Sequence, residues 1–221
     1  MSFAAREGVE ICDEGIRLFG DRTRWQGRAG LEGGCVRGPV EVELRIRGGE
    51  VDDVEMLDGS ARRSPAARDL GRVEARDAVA FLLDAARRGS GRGVDDAIFP
   101  VMLADVAEAW KDVLAVARDR AVAAPVRKSA LFWLGQEAAA AATEGLAEVA
   151  SDEDEEQEVR EAAIFALSQR PSSEGVPILM ELARTAREPG TRKAAFFWLA
   201  QSDDERVIAF FQEVLVGRRG G

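Results

Sequence analysis

The chain carries forty aspartates and glutamates and only two cysteines, Cys12 and Cys35, and it has neither histidine nor tyrosine. Without histidine there is no nucleophile-histidine triad, no HExxH zinc site and no histidine acid/base pair. Carboxylates remain as acids and bases, but no spacing marks out a pair. The chain is therefore expected not to be an enzyme, and no catalytic residue is named. Two thiolates without histidine rarely make a structural zinc site, so no metal and no cofactor are expected. The remaining chemistry of Cys12 and Cys35 is a disulfide closing a loop of about 23 residues, a constraint that contributes about 3 kcal/mol on the loop-entropy model. The alternative is two separate buried thiols. Glycine-rich, β-type sequence surrounds both cysteines, and a small module with little core gains most from such a bond.

Charge narrows the partners. The net charge is −10 and the sequence pI is about 4.8, a field that repels phosphate backbones and anionic lipid. No nucleic-acid partner is expected, with Arg62-Arg63 and Arg218-Arg219 as local exceptions. The acidic run from Asp152 to Glu158 lacks the glycine and the alternating ligands of an EF-hand loop and reads as a solvated turn. No run approaches the eighteen or so apolar residues of a membrane span, and no signal peptide precedes the first strand-like segment.

Three stretches position most of the remaining side chains. VRKSALFWLGQ at 126–136 returns as VREAAIFALSQ at 159 and as TRKAAFFWLAQ at 191, intervals of 33 and 32. Six of eleven positions are shared by the first and second copies and seven by the first and third, so the chain is a repeat protein. Each copy predicts the first helix of a pair; TEGLAEVA, GVPILMELAR and ERVIAFFQEVL carry the second helices. DDAIFPVMLAD and AEAWKDVLAVARDR read as a degenerate earlier pair, with Leu103 where the later copies have Leu134, Leu167 and Leu199. A single pair cannot bury its own apolar face, so the pairs must stack.

Ahead of the helices the period is 2. Val40, Val42, Leu44 and Ile46 alternate with Glu41, Glu43, Arg45 and Arg47, and Gly48-Gly49 supplies a two-residue hairpin turn. Val54 and Met56 fall on the wrong face unless one residue is inserted, which predicts a bulge at Asp52-Asp53. Ile16, Leu18 and Trp25 suggest two more short strands, giving one sheet of three or four. Ala78, Phe81, Leu82 and Ala85 form the stripe of a first amphipathic helix ended by Gly89. The domains expected are 1–57, a small β module; 58–72, a polar connector; and 73–221, helical repeats.

The pattern Val126-Arg127-Ala130-Leu134, repeated at Val159-Arg160-Ala163-Leu167 and Arg192-Ala195-Leu199, resembles HEAT repeats, in particular compact bacterial units of about 30 residues. This implies a mainly α fold, an α-solenoid of helical hairpins behind a small antiparallel sheet. It also implies that Arg127, Arg160 and Arg192 reach acidic residues in turns and tie adjacent units together. The cysteine-bearing β module ahead of HEAT-like repeats resembles bacterial envelope proteins. That implies a periplasmic or secreted protein, part of an envelope complex, with Met1 standing in for a leader. A cytoplasmic protein beginning naturally at Met1 is the alternative.

Function is expected to be that of a scaffold or adaptor binding a protein or peptide partner. Each first helix carries a row at i, i+4, i+8: Lys128-Phe132-Gln136, Glu161-Phe165-Gln169 and Lys193-Phe197-Gln201. Stacking should align Phe132, Phe165 and Phe197 in one column and the three glutamines in another. The column is either a ligand-facing ridge or packing between neighbouring first helices. A bilin-handling, lyase-like enzyme is the competing class, since some HEAT-like proteins process linear tetrapyrroles, although both cysteines lie outside the repeats.

Overall fold

The structure is a computed structural model, described here for residues 1–12, 15–18, 35–57, 63–89, 91, 93–137 and 139–217, with backbone alone at 12, 15–18, 35–36 and 215–217. Trp25 and the tail arginines of the sequence reading lie outside the described residues, as do the side chains of Cys12 and Cys35. The chain forms two compact units, Met1–Ser129 and Ala130–Gly221.

In the first unit the alternating segment folds as β5 (Val40–Arg47) and β6 (Glu50–Leu57), joined across Gly48 and Gly49. Both glycines have positive φ, 61° and 90°, which is why a tight antiparallel turn requires glycine here. Leu44 pairs with Val54 and Arg45 with Asp53, but Ile46 pairs with Val51. Asp52 is thus the inserted residue, and Val54 is returned to the buried face, 1% exposed. The alternation fails only at the tip, where Ile46 is 59% exposed.

The single sheet expected is in fact two. β1 (Ser2–Phe3) pairs with β5, giving the order β1-β5-β6. β2 (Val9–Cys12) pairs with both β3 (Gly15–Leu18) and β4 (Cys35–Val36) in a second sheet. Two residues of β1 are too short to show a period, so the division had no sequence signal. In the second sheet Cys12 stands directly opposite Cys35.

Helix α1 (Ala75–Arg88) stops at Gly89. Its buried face is Ala78, Val79, Leu82, Leu83, Ala85 and Ala86, and Phe81, expected on that stripe, is 43% exposed. The stripe lies one position further round because Val79 and Leu83 complete it. A 3-10 turn (Val94–Ala97) then leads into α2 (Ile98–Leu103) and α3 (Ala109–Arg118). The glycine loop before this turn packs on the bulge: a Cβ on Gly91 would overlap the Asp52 carbonyl, and one on Gly93 the Asp53 carboxylate. Val54 N–H donates to the Gly93 carbonyl at 3.3 Å.

The quoted copies form α4 (Ala124–Gly135), α6 (Gln157–Ser168) and α8 (Pro189–Ala200), each followed by its partner, α5 (Ala140–Ser151), α7 (Ser172–Thr185) and α9 (Glu205–Gly217). Motif positions five and nine are completely buried in every copy: Ala130 and Leu134, Ala163 and Leu167, Ala195 and Leu199. Within the second unit α6 packs more closely on α8 than α5 does on α7, or α7 on α9. The fold is mainly α, a solenoid of helical hairpins preceded by small antiparallel sheets.

Candidate functional site

The second motif residue is an arginine in every copy, and each guanidinium donates to main-chain carbonyls just before its own helix. Arg127 Nε reaches the Ala117 carbonyl at 3.0 Å. Arg160 Nη1 meets the carbonyls of Asp152, Glu153 and Glu155, and Arg192 Nη1 those of Ala186 and Arg187 at 2.6 and 2.8 Å. The carboxylate partners expected in the turns are thus joined or replaced by carbonyls. The reason is that a helix end leaves carbonyls without intrahelical donors, and a five-donor fork serves several together. Arg160 Nε also meets Thr191 Oγ1 at 3.3 Å, which links α6 to α8.

The same framework fixes the aromatic row. Phe132 and Phe165 are stacked, with ring centroids 6.2 Å apart and planes at 14°. The third rung is not Phe197. Phe165 meets Trp198 instead, at 4.8 Å, while Phe197 stands edge-on to Trp198 at 5.0 Å and is 56% exposed. Motif position eight is tryptophan in the first and third copies but Ala166 in the second. Trp133 lies edge-on to Phe132 at 4.9 Å. Phe132, Trp133, Phe165 and Trp198 are all half-buried. The row therefore packs neighbouring helices together while its rings stay half-buried.

The glutamines end the same helices. The backbone N–H groups of Gln136, Gln169 and Gln201 bond back to the carbonyls of Trp133, Ala166 and Trp198 at 3.1, 3.1 and 3.2 Å. The side chains of Gln169 and Gln201 are exposed and that of Gln136 is half-buried; the Gln169 amide also donates to Ser168 Oγ at 3.1 Å. Together the rings and amides make an apolar strip with a polar margin at one end, suited to a polypeptide that offers both apolar side chains and main-chain groups.

Sequence reasoning missed a polar knot beside this strip. Arg170, whose side chain is 2% exposed, donates through Nε to Thr143 Oγ1 at 2.7 Å and through Nη2 to Glu174 at 3.0 Å and the Ala139 carbonyl at 3.2 Å. Its Nη1 meets the Glu137 carbonyl, and Thr143 also donates to Glu174 at 2.5 Å. Glu137 and Ser202 stand at the matching places in the other copies, so comparing the repeats could not reveal it.

The carboxyl groups of Asp96 and Asp204 depart from ordinary titration. Burial, followed by the charges of Asp95 and Asp53, pushes Asp96 up. Asp204 is held down to about 2, chiefly by the Arg206 side chain and then by the Arg206 backbone N–H. That N–H donates to Asp204 at 2.9 Å and starts α9, while Arg206 Nη2 holds the Ser172 carbonyl at 2.8 Å. A carboxyl whose folded pKa is depressed stabilises above its unfolded value, and this contribution fades as pH falls towards the folded pKa. Asp204→Asn should therefore be less stable than wild type at neutral pH, and the gap should close as pH drops from about 4 to about 2. Urea melts of both proteins across that range measure it; a gap that persists at the acid end refutes the assignment.

Among the described residues, no group of three or more histidine, cysteine, aspartate or glutamate side chains is placed to hold a metal ion, and no helix is long and apolar enough to cross a membrane.

No curated protein matches the sequence. One matching solved structure is described as human deoxyhypusine hydroxylase in complex with glycerol, at 23% identity and a TM-score of 0.44, covering 62% of this chain and 46% of that one. The chain thus spans about half the length of that neighbour, whose activity is not carried across. One expectation is nevertheless corrected: the chain was expected not to be an enzyme, yet an enzyme is among its structural matches. The family model for HEAT repeats matches residues 111–200 and again 143–218. Residues 111–218 are thus a run of HEAT repeats, which follows the small antiparallel sheets in the chain.

Proposed function

We propose that the repeats bind a protein or peptide partner along the exposed side of α4, α6 and α8. HEAT repeats form a scaffold, and the observation supporting a binding role is the aromatic row. Phe197 turns 56% of its surface outward beside a half-buried Trp198, although its counterparts Phe132 and Phe165 are packed into the row. A large exposed aromatic contributes little to folding and much to an interface, where aromatic anchors dominate affinity. Gln169 and Gln201 supply amides at the margin. Immobilised wild type and a Phe197→Ala/Gln169→Ala variant, exposed to extract from the source cell, test this. A protein captured by the first and lost by the second, with equal melting temperatures, is the expected result; identical captures reject the strip as the binding face.

We further propose that Cys12 and Cys35 form a disulfide and that the protein works in the cell envelope or outside the cell. The support is their direct opposition in neighbouring antiparallel strands, where Cα separations of about 4.5–5.5 Å fall within the range a disulfide spans. Protein taken from its native compartment should gain two hydrogens in intact mass on reduction. Alkylation of both thiols without reductant would place it in a reducing, cytoplasmic setting instead.

A further inference from the structure

The charge of this protein is unevenly shared. Residues 130–221 hold seventeen acidic and nine basic side chains, a net −8 of the total −10. Several of those cations are already committed: Arg160 and Arg170 are buried, and Arg192 is half-buried on two carbonyls. Some acids are committed as well: Glu155 is buried, Glu153 bonds Arg187 at 3.4 Å and Glu161 accepts from Gln157 at 2.8 Å. Glu153, Asp154, Glu156 and Glu158 are exposed in the turn before α6 and in its first residues, and so is Glu161. On α6, Glu158, Glu161 and Phe165 follow the i, i+3, i+7 spacing that places them along one side of the helix. The aromatic row therefore runs, at the N-terminal end of α6, into a band of exposed carboxylates.

The same unit contains an internal example of what such a surface holds. Arg184 lies over the Phe210 ring, 4.8 Å from its centroid, and bonds Glu213 at 2.8 Å. A ring and a glutamate three residues apart on α9 receive one guanidinium. On α6, Glu161 stands four residues before Phe165, but that ring already lies between Phe132 and Trp198, so the carboxylate is the group left to attract a cation. A cation over an aromatic face is attracted by the ring quadrupole, and a nearby carboxylate adds to the attraction.

Resting on the reading that this strip binds a polypeptide, we propose that its partner is a cationic, amphipathic segment of another protein: apolar side chains lie along Phe132, Phe165, Trp198 and Phe197, and arginine or lysine side chains meet Glu158 and Glu161. Lys128 on α4 and the exposed Lys193 on α8 are the opposing charges on this side, and they set the basic residues towards α6 between them. The molecule's overall charge favours the same partner through long-range steering.

Three synthetic peptides of equal length and identical leucine spacing, with lysine and arginine, glutamine, or glutamate at the remaining positions, test the proposal by titration against the whole chain. Trp133 and Trp198 report binding by fluorescence. The basic peptide is expected to bind, to weaken about tenfold as salt is raised from about 0.05 to 0.3 M, and to weaken about three- to tenfold against Glu158→Gln/Glu161→Gln. Phe197→Ala should weaken it about tenfold. All these positions are exposed, and unchanged melting temperatures verify that the variants fold. If the glutamine or glutamate peptide binds as tightly and is released by Phe197→Ala, the strip is a binding site but its partner is not cationic. If no peptide binds, or if binding ignores both the Phe197 and the glutamate variants, the strip itself is rejected.

Discussion

Arg170→Ala is expected to cost about 3–5 kcal/mol, the range seen when one partner of a buried charged pair is removed. The side chain is 2% exposed and serves four acceptors: Thr143 Oγ1, the Glu174 carboxylate and the carbonyls of Glu137 and Ala139. Those carbonyls belong to the turn from α4 to α5, whereas Arg170 follows α6, so the side chain ties one repeat to the next. Alanine leaves the acceptors without this donor in a site with little access to water, and each unsatisfied group carries its desolvation cost. Lysine should recover only part of the loss, because a point charge on a flexible stem cannot replace a planar fork with several donors. Urea unfolding of wild type, Arg170→Ala and Arg170→Lys measures both steps. An alanine loss below about 1 kcal/mol, the worth of an ordinary exposed pair, would show that water satisfies the turn. Because repeats are stabilised by their neighbours, the lesion should also broaden the transition as α4 and α5 loosen before α6 to α9.

What could be read from the sequence was what repeats or alternates. Three copies of one motif identified α4, α6 and α8, and the alanines they share, Ala130, Ala163 and Ala195, are completely buried in every unit. The strict alternation of β5 broke at a definable place in β6, and Asp52 is the residue inserted there. What escaped was set by single side chains and by contacts between distant segments. The third rung of the aromatic row was assigned to Phe197 because motif alignment treats equivalent positions as equivalent contacts. The ring that Phe165 meets is Trp198, one position further along the third copy. Arg170 has no counterpart in the other copies, and the carbonyls that the arginine column meets belong to helix ends and turns, which require donors whatever residues they contain. The packing of Gly91 and Gly93 on the β6 bulge joins segments about forty residues apart, and neither period nor motif reports such a contact.

Phe165→Ala and Phe197→Ala, differing by one motif copy, should have opposite signatures. Phe165 lies between Phe132 and Trp198, with centroids 6.2 and 4.8 Å away; removing its ring cuts the row in two and deprives both neighbours of their stacking partner. Buried phenylalanine truncations cost about 3–5 kcal/mol. Since Phe165 keeps part of its surface in water, a loss near the lower end, about 3 kcal/mol, is expected. Phe197, 56% exposed with Trp198 as its aromatic contact, should lose no more than about 0.5 kcal/mol, the usual scale for surface positions. Thermal or urea melts of the two variants decide the stability half. A peptide titration with Phe197→Ala decides the binding half without interference from unfolding. A second cycle, combining Phe165→Ala with Trp198→Ala, isolates their contact: stacked aromatic pairs contribute about 0.5–1.5 kcal/mol beyond area burial, so the double variant should fall short of additivity by about that amount. Strict additivity would mean that the rings pack against the surrounding helices but not on one another, and the row would then be two separate clusters with no continuous surface for a partner to follow.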